Sequence, residues 1–568
     1  MAFSTLILAA GAGTRMVSSH AKAVHEVLGK PMVRWVIDAA IAAGSDRVLT
    51  VVGHEREQVI PIVSDTTIVV QEEHLGTGHA IMVARAELEH YAKKGASLVV
   101  LSADTPLIRE ETIRALVEAQ QGTSSAVCLM THEMSDPTGY GRVVLGDSGQ
   151  VLRVVEDRDA DIGEQQITLC NSGAYCFDLP LLLANLEQLG NANAQGEFYL
   201  TEVFDYLVKG GKSVVAYLAD SNEAYGVNDR LQLAVASSLM QKRINTAWMM
   251  AGVTMLDPAT VWIGPEVEIA NDVEILPQVI IKGQTRIARG CLIGPNSRIT
   301  DSVIGRDCVI DESVIIESVL EDGVHCGPRA YLRPDTLMKL GSKAGTHVEL
   351  KNTTVGVGSK VPHLSYLGDA TLGTDVNIGA GTITCNYDGT TKHATEIGDH
   401  AFIGSDTMLV APVKVGAGTV TGAGSTITRD VPDGALSLER AEQRIIRGWV
   451  ARRERERLEK RGREQKKPDL KTNKPVKDKV DNKAPAKSSR TEKPGTGSKA
   501  GAGGVGGAGG AGSVGSTGGA GRVGGAGSGG GTGGAGSVGG TSGAGTGNAS
   551  SKSPTTRSSK TDSEKKGA

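Results

Sequence analysis

The sequence predicts an α/β domain with a mainly parallel sheet, then a left-handed parallel β-helix of hexapeptide repeats, then a disordered tail. Three observations predict this. Ile263, Ile269, Ile275, Ile281, Ile287, Ile293 and Ile299 recur at a strict spacing of six. Strand-like and helix-like segments alternate through residues 1–228. From Gly495 to about Gly547 almost every residue is Gly, Ala, Ser, Thr or Val.

A spacing of six fits neither the period of about 3.6 of a helix nor the simple alternation of a strand. It fits a prism in which each hexad lays one short strand on one face. Three hexads then close a coil, and stacked coils bury the aliphatic column. After a slip of one, Ile304, Ile310 and Ile316 resume the ladder, and Ile397, Ile403, Leu409, Val415, Thr421 and Ile427 form another run. An ordinary sheet of short strands has no reason to keep such register. The hexads run from about Val261 to Val431. The stretch Leu337 to Ser365 breaks the period, which predicts a loop projecting from the prism, the kind of segment where sites sit.

In the first region, Ser4–Ala9 reads as a buried strand before a Gly-rich turn. Met32–Ala43 reads as a helix, Arg47–Val52 and Leu98–Ser102 as strands. Between Asn228 and Gly252, Leu231, Val235, Leu239 and Ile244 recur at helical spacing, which places a connecting helix there. Glu439 to about Arg463 is highly charged with helix-forming composition, suited to bracing the last coil. The expected organisation is therefore 1–228 as the α/β domain, 229–252 as linker helix and 253–450 as β-helix. A charged helical extension follows at 451–465, then a tail at 466–568, basic and then Gly-rich. The tail cannot bury enough apolar surface to offset its ordering entropy. Its glycines form no triplet repeat with proline, which excludes collagen.

Among the 568 residues no run approaches the roughly 20 apolar residues of a membrane span. The apolar start, Thr5 to Ala10, is too short for a signal-peptide core. The seven cysteines are scattered and form no CxxC pair. They read as buried thiols of a cytoplasmic protein rather than as metal ligands. The net charge of −4 hides an asymmetry: residues 451–568 hold 24 Lys and Arg against 10 Asp and Glu, and the remainder 36 against 54. Such a tail could touch nucleic acid, anionic lipid or an acidic partner. The reading adopted is a solvated tail that binds no specific nucleic acid.

The first strand runs into Leu8, Ala9, Ala10, Gly11, Ala12, Gly13, Thr14, Arg15 and Met16. Small residues let a nucleotide approach the backbone, and exposed N–H groups can cradle phosphate oxygens. Arg15 and Lys22 add positive charge suited to a polyphosphate. A lone GxG also marks many turns that bind nothing. The missing GxxxxGK[ST] argues against a Walker-type ATPase. Asp104-Thr105-Pro106 reads either as a metal ligand or as a helix cap. His363 reads either as a structural histidine or as a general base, a task that a reference pKa of about 6.5 suits.

Polar residues cluster in and after the break of the period: Leu332-Arg333-Pro334, Glu349-Leu350-Lys351, His363 to Asp369, Asn377 to Thr382 and Cys385 to Gly389. Add the Leu8–Met16 segment, Gln71 with Leu75 to Ala80, Asp136 to Arg142 and Gly226 to Leu231. Over roughly residues 4–450 the chain then resembles a bifunctional family, in the same domain order. That family joins N-acetylglucosamine-1-phosphate uridylyltransferase and glucosamine-1-phosphate N-acetyltransferase activities. The resemblance implies a Rossmann-like nucleotidyltransferase domain using UTP and Mg²⁺. Leu8, Ala9, Ala10, Gly11, Ser102 and Ala103 would contact the nucleotide, and Gln71, Gly76 and Thr77 would read uracil. Arg15 and Lys22 would hold the triphosphate and act in catalysis. Gly141, Glu156 and Asn171 would hold N-acetylglucosamine, and Asp104 and Asn228 the metal.

For the second half it implies His363 as general base and Arg333 and Lys351 at the acceptor's phosphate. Tyr366 and Asn377 would line the acceptor site. Asn386, Tyr387, Ala380, Ser405, Ala423 and Arg440 would meet acetyl-coenzyme A. It also implies a homotrimer with acyl sites between subunits. The chain departs from the family at Ala12, where lysine is usual, at Ser102-Ala103, where Tyr-Gly is usual, and at Ala21, where proline is usual. Val361-Pro362 and Thr346-His347 replace Ala-Gly and Asn-Phe. Ala12 predicts weaker UTP binding, and Pro362 a shift of the loop that places His363. Two alternatives stay open here: a nucleotidyltransferase of other specificity whose β-helix only assembles the oligomer, and a non-catalytic scaffold.

Overall fold

The computed structural model describes residues 2–92, 97–147, 149–193 and 195–465. The tail expected from 466 onward lies outside the described residues.

Apolar runs supply the strands of the first region: β1 (Phe3–Ala9), β2 (Arg47–Val52), β3 (Thr67–Val70), β4 (Ser97–Ser102), β5 (Val127–Glu133), β6 (Arg142–Leu145), β7 (Val151–Val155), β8 (Leu169–Asp178) and β9 (Val214–Leu218). Their order is β9-β5-β8-β4-β1-β2-β3, with β6 joining β8 to β7. β1 lies parallel to β2 and β4, β2 to β3, and β9 to β5, while β8 runs antiparallel to β4 and β5. Leu6 and Ile7 of β1 are fully buried on opposite faces. One joins the cluster with Leu49, Leu98 and Phe177, the other the cluster with Val36 and Ile37 of the helix Met32–Ala42. Parallel strands end on one side, so the loops after β1, β2, β3 and β4 gather at a single edge of the sheet.

The ladder of isoleucines resolves into three columns. Ile263 pairs with Ile281, Ile281 with Ile299, and the column continues through Ile315, Leu332, Leu350 and Leu367. A second runs Ile269, Ile287, Ile304, Leu320, Met338 and Val355. A third runs Ile275, Ile293, Ile310, Cys326, Ala344 and Val361. Each of these side chains is buried, and burying one of Ile or Leu size contributes about 1.5–3 kcal/mol. The structure is a parallel β-helix of short strands.

Two expectations are corrected. Ile315 rather than Ile316 continues the column, because a second one-residue slip precedes it. No loop projects between Leu337 and Ser365: the strands Thr336–Met338, Lys343–Thr346, Glu349–Val355 and Lys360–His363 stay in the stack. The period slips there because one corner, between Leu350 and Val355, is a residue shorter, not because the chain leaves the prism. The excursion comes later, where Leu372 pairs with Ile397 across an inserted segment holding the Tyr387–Lys392 bridge. Pro362 sits inside its strand without breaking it, forgoing one backbone donor.

The linker helix, Arg230–Met250, begins behind Asp229, whose carboxylate caps it by accepting from Gln232 N–H at 2.8 Å. Leu231 is 75% and Val235 38% exposed, whereas Leu239 and Ile244 pack against buried clusters, so helical spacing located the helix but only part of its buried side. That side is Ala236, Met240, Gln241 and Asn245. Gln241 donates to the carbonyls of Ala259 and Val261 at 2.9 and 2.7 Å, and Asn245 to those of Pro258 and Val261 at 2.8 and 2.9 Å. Ile244 and Trp248 pack on the prism core. The helix thus seals the first coil, satisfying carbonyls that would otherwise be buried without donors. The charged helix spans Trp449–Gln465, starting ten residues later than the charged composition does at Glu439. All seven cysteines are free thiols, and six of them are buried.

Candidate functional sites

The loops gathered at the edge of the α/β sheet enclose a cavity of about 350 Å³. Leu8, Ala9, Ala10, Gly11, Ala12, Lys22, Gln71, Gly76, Thr77, Ser102, Ala103 and Asp104 line it. The turn after β1 works because residue 13 is glycine. Its φ is +57°, and a Cβ there would fall 2.5 Å from Lys22 Cβ. The close approach holds Thr14–Met16 against the segment that carries Lys22.

Lys22 Nζ donates to Asn228 Oδ1 at 2.7 Å and also contacts Asp104 Oδ2. Arg15 Nη2 donates to the same Asn228 oxygen at 2.9 Å. Asp104 caps no helix, since the next one begins at Glu110 behind Arg109. Its carbonyl instead accepts from Val227 N–H at 2.9 Å, which brings Asn228 to it from far along the chain. Two oxygen donors converge on one cation, here the Lys22 ammonium, and that donor set suits a hard divalent ion. Among the described residues no group of three His, Cys, Asp or Glu is placed to hold a metal. The fit is therefore to an ion that keeps several waters, as Mg²⁺ does.

Beside the cavity, Asn171 N–H donates to Gly141 O at 2.8 Å, and Glu156 Oε1 accepts from the Thr201 hydroxyl at 3.2 Å. A Cβ on Gly141 would stand 3.5 Å from Glu156 Oε2, so these three residues share one wall. Burial pushes the Glu156 carboxyl above its ordinary pKa. Gln71 is held by its amide nitrogen, which donates to Gly76 O at 3.2 Å and meets His79 Nδ1 at 3.0 Å. Sequence reasoning missed His74 and Glu197, which also line the cavity. His74 adjoins the Leu75–Ala80 motif and could have been found. Glu197 arrives only through the pairing of Phe198 with Leu75, for which the sequence carries no signal.

The second constellation lies on the prism. Lys351 pairs with Gly368, and Arg333, next to the Leu332–Leu350 pair, occupies the same level one coil before Lys351. Arg333 Nη1 donates to Glu349 Oε1 at 2.8 Å. A Cβ on Gly368 would fall 2.4 Å from the Tyr366 hydroxyl and 2.7 Å from Asn386 Nδ2, so this glycine makes room for both. Lys392, which sequence reasoning also missed, acts on Lys351 as a like charge and pushes the Lys351 pKa down. Asn377 stands apart, on a flat face between Lys360 and Phe402. His363 is exposed and pairs with Thr346. Counting on from the Lys360–Asn377 pair puts His363 level with Ala380.

Ala380 O accepts from Asp406 N–H at 2.7 Å, Ser405 O from Gly424 N–H at 2.8 Å, and Ala423 O from Arg440 Nη1 at 3.0 Å. Ala380, Ser405, Ala423 and Arg440 therefore mark one corner of successive coils, a column of mostly small residues. Tyr387 is 60% exposed, on the inserted segment.

Residues 5–167 match the family model of the MobA-like NTP transferase domain, and residues 394–429 that of the bacterial transferase hexapeptide (six repeats). The bifunctional protein GlmU of Heliobacterium modesticaldum is 47% identical over 452 residues, 79% of this chain and 98% of that protein. The chain belongs to the bifunctional GlmU family. GlmU of Carboxydothermus hydrogenoformans is 48% identical over 440 residues, 77% of this chain and 98% of that protein. GlmU of Corynebacterium diphtheriae is 43% identical over 456 residues, 79% and 94% of the two chains. As a GlmU protein the chain is a bifunctional transferase of UDP-N-acetylglucosamine synthesis, with a nucleotidyltransferase domain and a hexapeptide acyltransferase domain. The two alternatives raised by the sequence, another specificity and a non-catalytic scaffold, fall with this assignment.

Proposed function

We propose that the two constellations divide the synthesis between them. On the prism, the amine of glucosamine 1-phosphate attacks the thioester carbonyl of acetyl-coenzyme A. His363 takes the proton from the nitrogen, the C–S bond breaks, and coenzyme A leaves. Arg333, Lys351 and Lys392 hold the acceptor's phosphate, Tyr366 lines its site, Asn377 completes it from the face that a second prism would cover, and Asn386, Tyr387, Ala380, Ser405, Ala423 and Arg440 take the acyl donor. In the α/β cavity, a phosphate oxygen of N-acetylglucosamine 1-phosphate attacks the α-phosphorus of UTP, and pyrophosphate leaves. The nucleophile is already an anion, so alignment and charge neutralisation carry the step. Arg15 and Lys22 face the phosphates. Leu8–Gly11, Ser102 and Ala103 support the nucleotide, Gln71, Gly76 and Thr77 its base, and Gly141, Glu156 and Asn171 the sugar. Asp104 and Asn228 would hold Mg²⁺, whose chemistry when bound is to neutralise charge on the transferring group.

The observation that carries this reading is the meeting of Asp104, Asn228, Lys22 and Arg15, drawn from three distant segments, at the mouth of a nucleotide-sized cavity. For the assembly we propose a homotrimer. Phe402, Val420 and Leu436 stack in register on the face that carries Asn377, and all three are exposed. A second prism would cover that stripe. Among the described residues no helix is long and apolar enough to cross a membrane, and a cytoplasmic location suits the free thiols. One assay tests the division: UTP, Mg²⁺, acetyl-coenzyme A and glucosamine 1-phosphate together, with coenzyme A and pyrophosphate followed separately. Both should appear. Pyrophosphate formed only when N-acetylglucosamine 1-phosphate is supplied, with no coenzyme A release, would strike the prism chemistry.

A further inference from the structure

The segment Asn386–His393 folds as a tight hairpin, and both oxygens of Asp388 are committed to it. Oδ1 accepts from the N–H groups of Thr390 and Thr391 at 2.8 and 2.7 Å, which ties the tip. Oδ2 meets His393 Nε2 at 2.9 Å, which ties the returning strand. His393 N–H donates to Asn386 O at 2.8 Å, closing the base of the hairpin. The residue held between these ties is Lys392, paired across the hairpin with Tyr387.

Lys392 needs holding. The base of the hairpin, Asn386, donates to Asp369 and stands beside Gly368, the strand partner of Lys351, which brings Lys392 within electrostatic reach of Lys351, with Arg333 also acting on Lys351 and Asp369 as counter-charge. Like charges this close repel, and a lysine on a free loop would gain rotamer freedom by swinging into solvent. Two ammonium groups held within reach of one anion suit a phosphate monoester dianion, and cations assembled in advance bind it with less loss of freedom.

We propose that the Asp388–His393 pair is a clasp that positions Lys392 for the phosphate of the amino-sugar acceptor. His393 is then a positioning residue of the acetyl transfer. This rests on assigning Arg333 and Lys351 to that phosphate.

Steady-state coenzyme A release by the full chain tests it. His393→Ala and Asp388→Ala should raise KM for glucosamine 1-phosphate about three- to tenfold, the range for freeing one rotamer-rich side chain, with kcat little changed. KM for acetyl-coenzyme A should move less, and pyrophosphate release should stay at the wild-type rate, reporting an intact fold. His393→Gln, whose amide nitrogen can reach Asp388 as Nε2 does, should recover most of the acceptor KM. Acceptor KM unchanged in both alanine variants, or glutamine no better than alanine, overturns the clasp. Lys392→Ala run alongside separates two failures. A raised KM there with silent His393 and Asp388 variants strikes the clasp alone. An unchanged KM strikes both the clasp and the acceptor-site assignment.

Discussion

The α/β site gathers residues from Leu8 to Asn228 in and around one cavity, whereas the prism site spreads residues from Arg333 to Arg440 along an open corner and a flat face. In the first, polar groups are already paired with one another: Asn228 Oδ1 receives donors from both Arg15 and Lys22. In the second, His363 and Tyr387 are exposed and Lys351 feels the like charges of Lys392 and Arg333. A sheet edge can wall in its own ligand because loops fold over it. A prism of short strands offers only edges and faces, so walls have to come from an inserted hairpin or from another copy. The contrast explains why an apolar stripe lies on the prism face next to the candidate residues.

The contrast can be broken in five ways. His363→Ala should lower coenzyme A release by about 10²–10⁴-fold, the worth of a general base, while pyrophosphate release persists. Loss of both would point to misfolding instead. Chelating divalent ions with EDTA should do the converse, cutting pyrophosphate release by at least about 10²-fold and sparing coenzyme A release. If both reactions survive chelation, the Asp104–Asn228 pair holds no essential ion. Gly368→Ala should displace the Tyr366 hydroxyl and the Asn386 amide, and an ångström of misplacement costs about 10²-fold in kcat/KM for the acceptor. Phe402→Asp should weaken self-association by about thirtyfold in analytical ultracentrifugation, as for an interface anchor worth about 2 kcal/mol. Coenzyme A release should then fall on dilution while pyrophosphate release holds. An unaltered sedimentation profile would remove this face from the trimer. The smallest effect is expected of Ala12→Lys, which adds a cation beside the phosphates. UTP affinity measured by calorimetry should rise by up to about fivefold, the upper worth of an exposed ion pair, and an unchanged Kd would sink the idea.

The columns of the prism were readable because one buried face repeats with every coil, so each isoleucine is dictated by its neighbours above and below. The slip at Ile315 and the place of the excursion were not. A corner one residue shorter and an inserted hairpin both interrupt a period, and only strand pairing tells them apart: Ala344 still meets Val361, whereas Leu372 has to reach Ile397. The same limit separates Lys351 from Lys392. Lys351 sits in a patterned segment, but Lys392 reaches it only by folding back across a turn closed by Asp388. Asp104 was ambiguous between a cap and a ligand until the helix start at Glu110 decided against the cap.

The linker helix carries a last consequence. Arg243, on the same helix whose amides seal the prism, donates to the carbonyl of Leu107 at 2.7 Å, three residues beyond Asp104. The segment that follows Asp104 and the first coil are thus bolted to one rod. A frame fastened in this way is expected to hold the two stations at a fixed spacing rather than swing product between them. N-acetylglucosamine 1-phosphate made on the prism would leave by diffusion and compete with any supplied from outside. The chain is then two workshops sharing a beam rather than an assembly line.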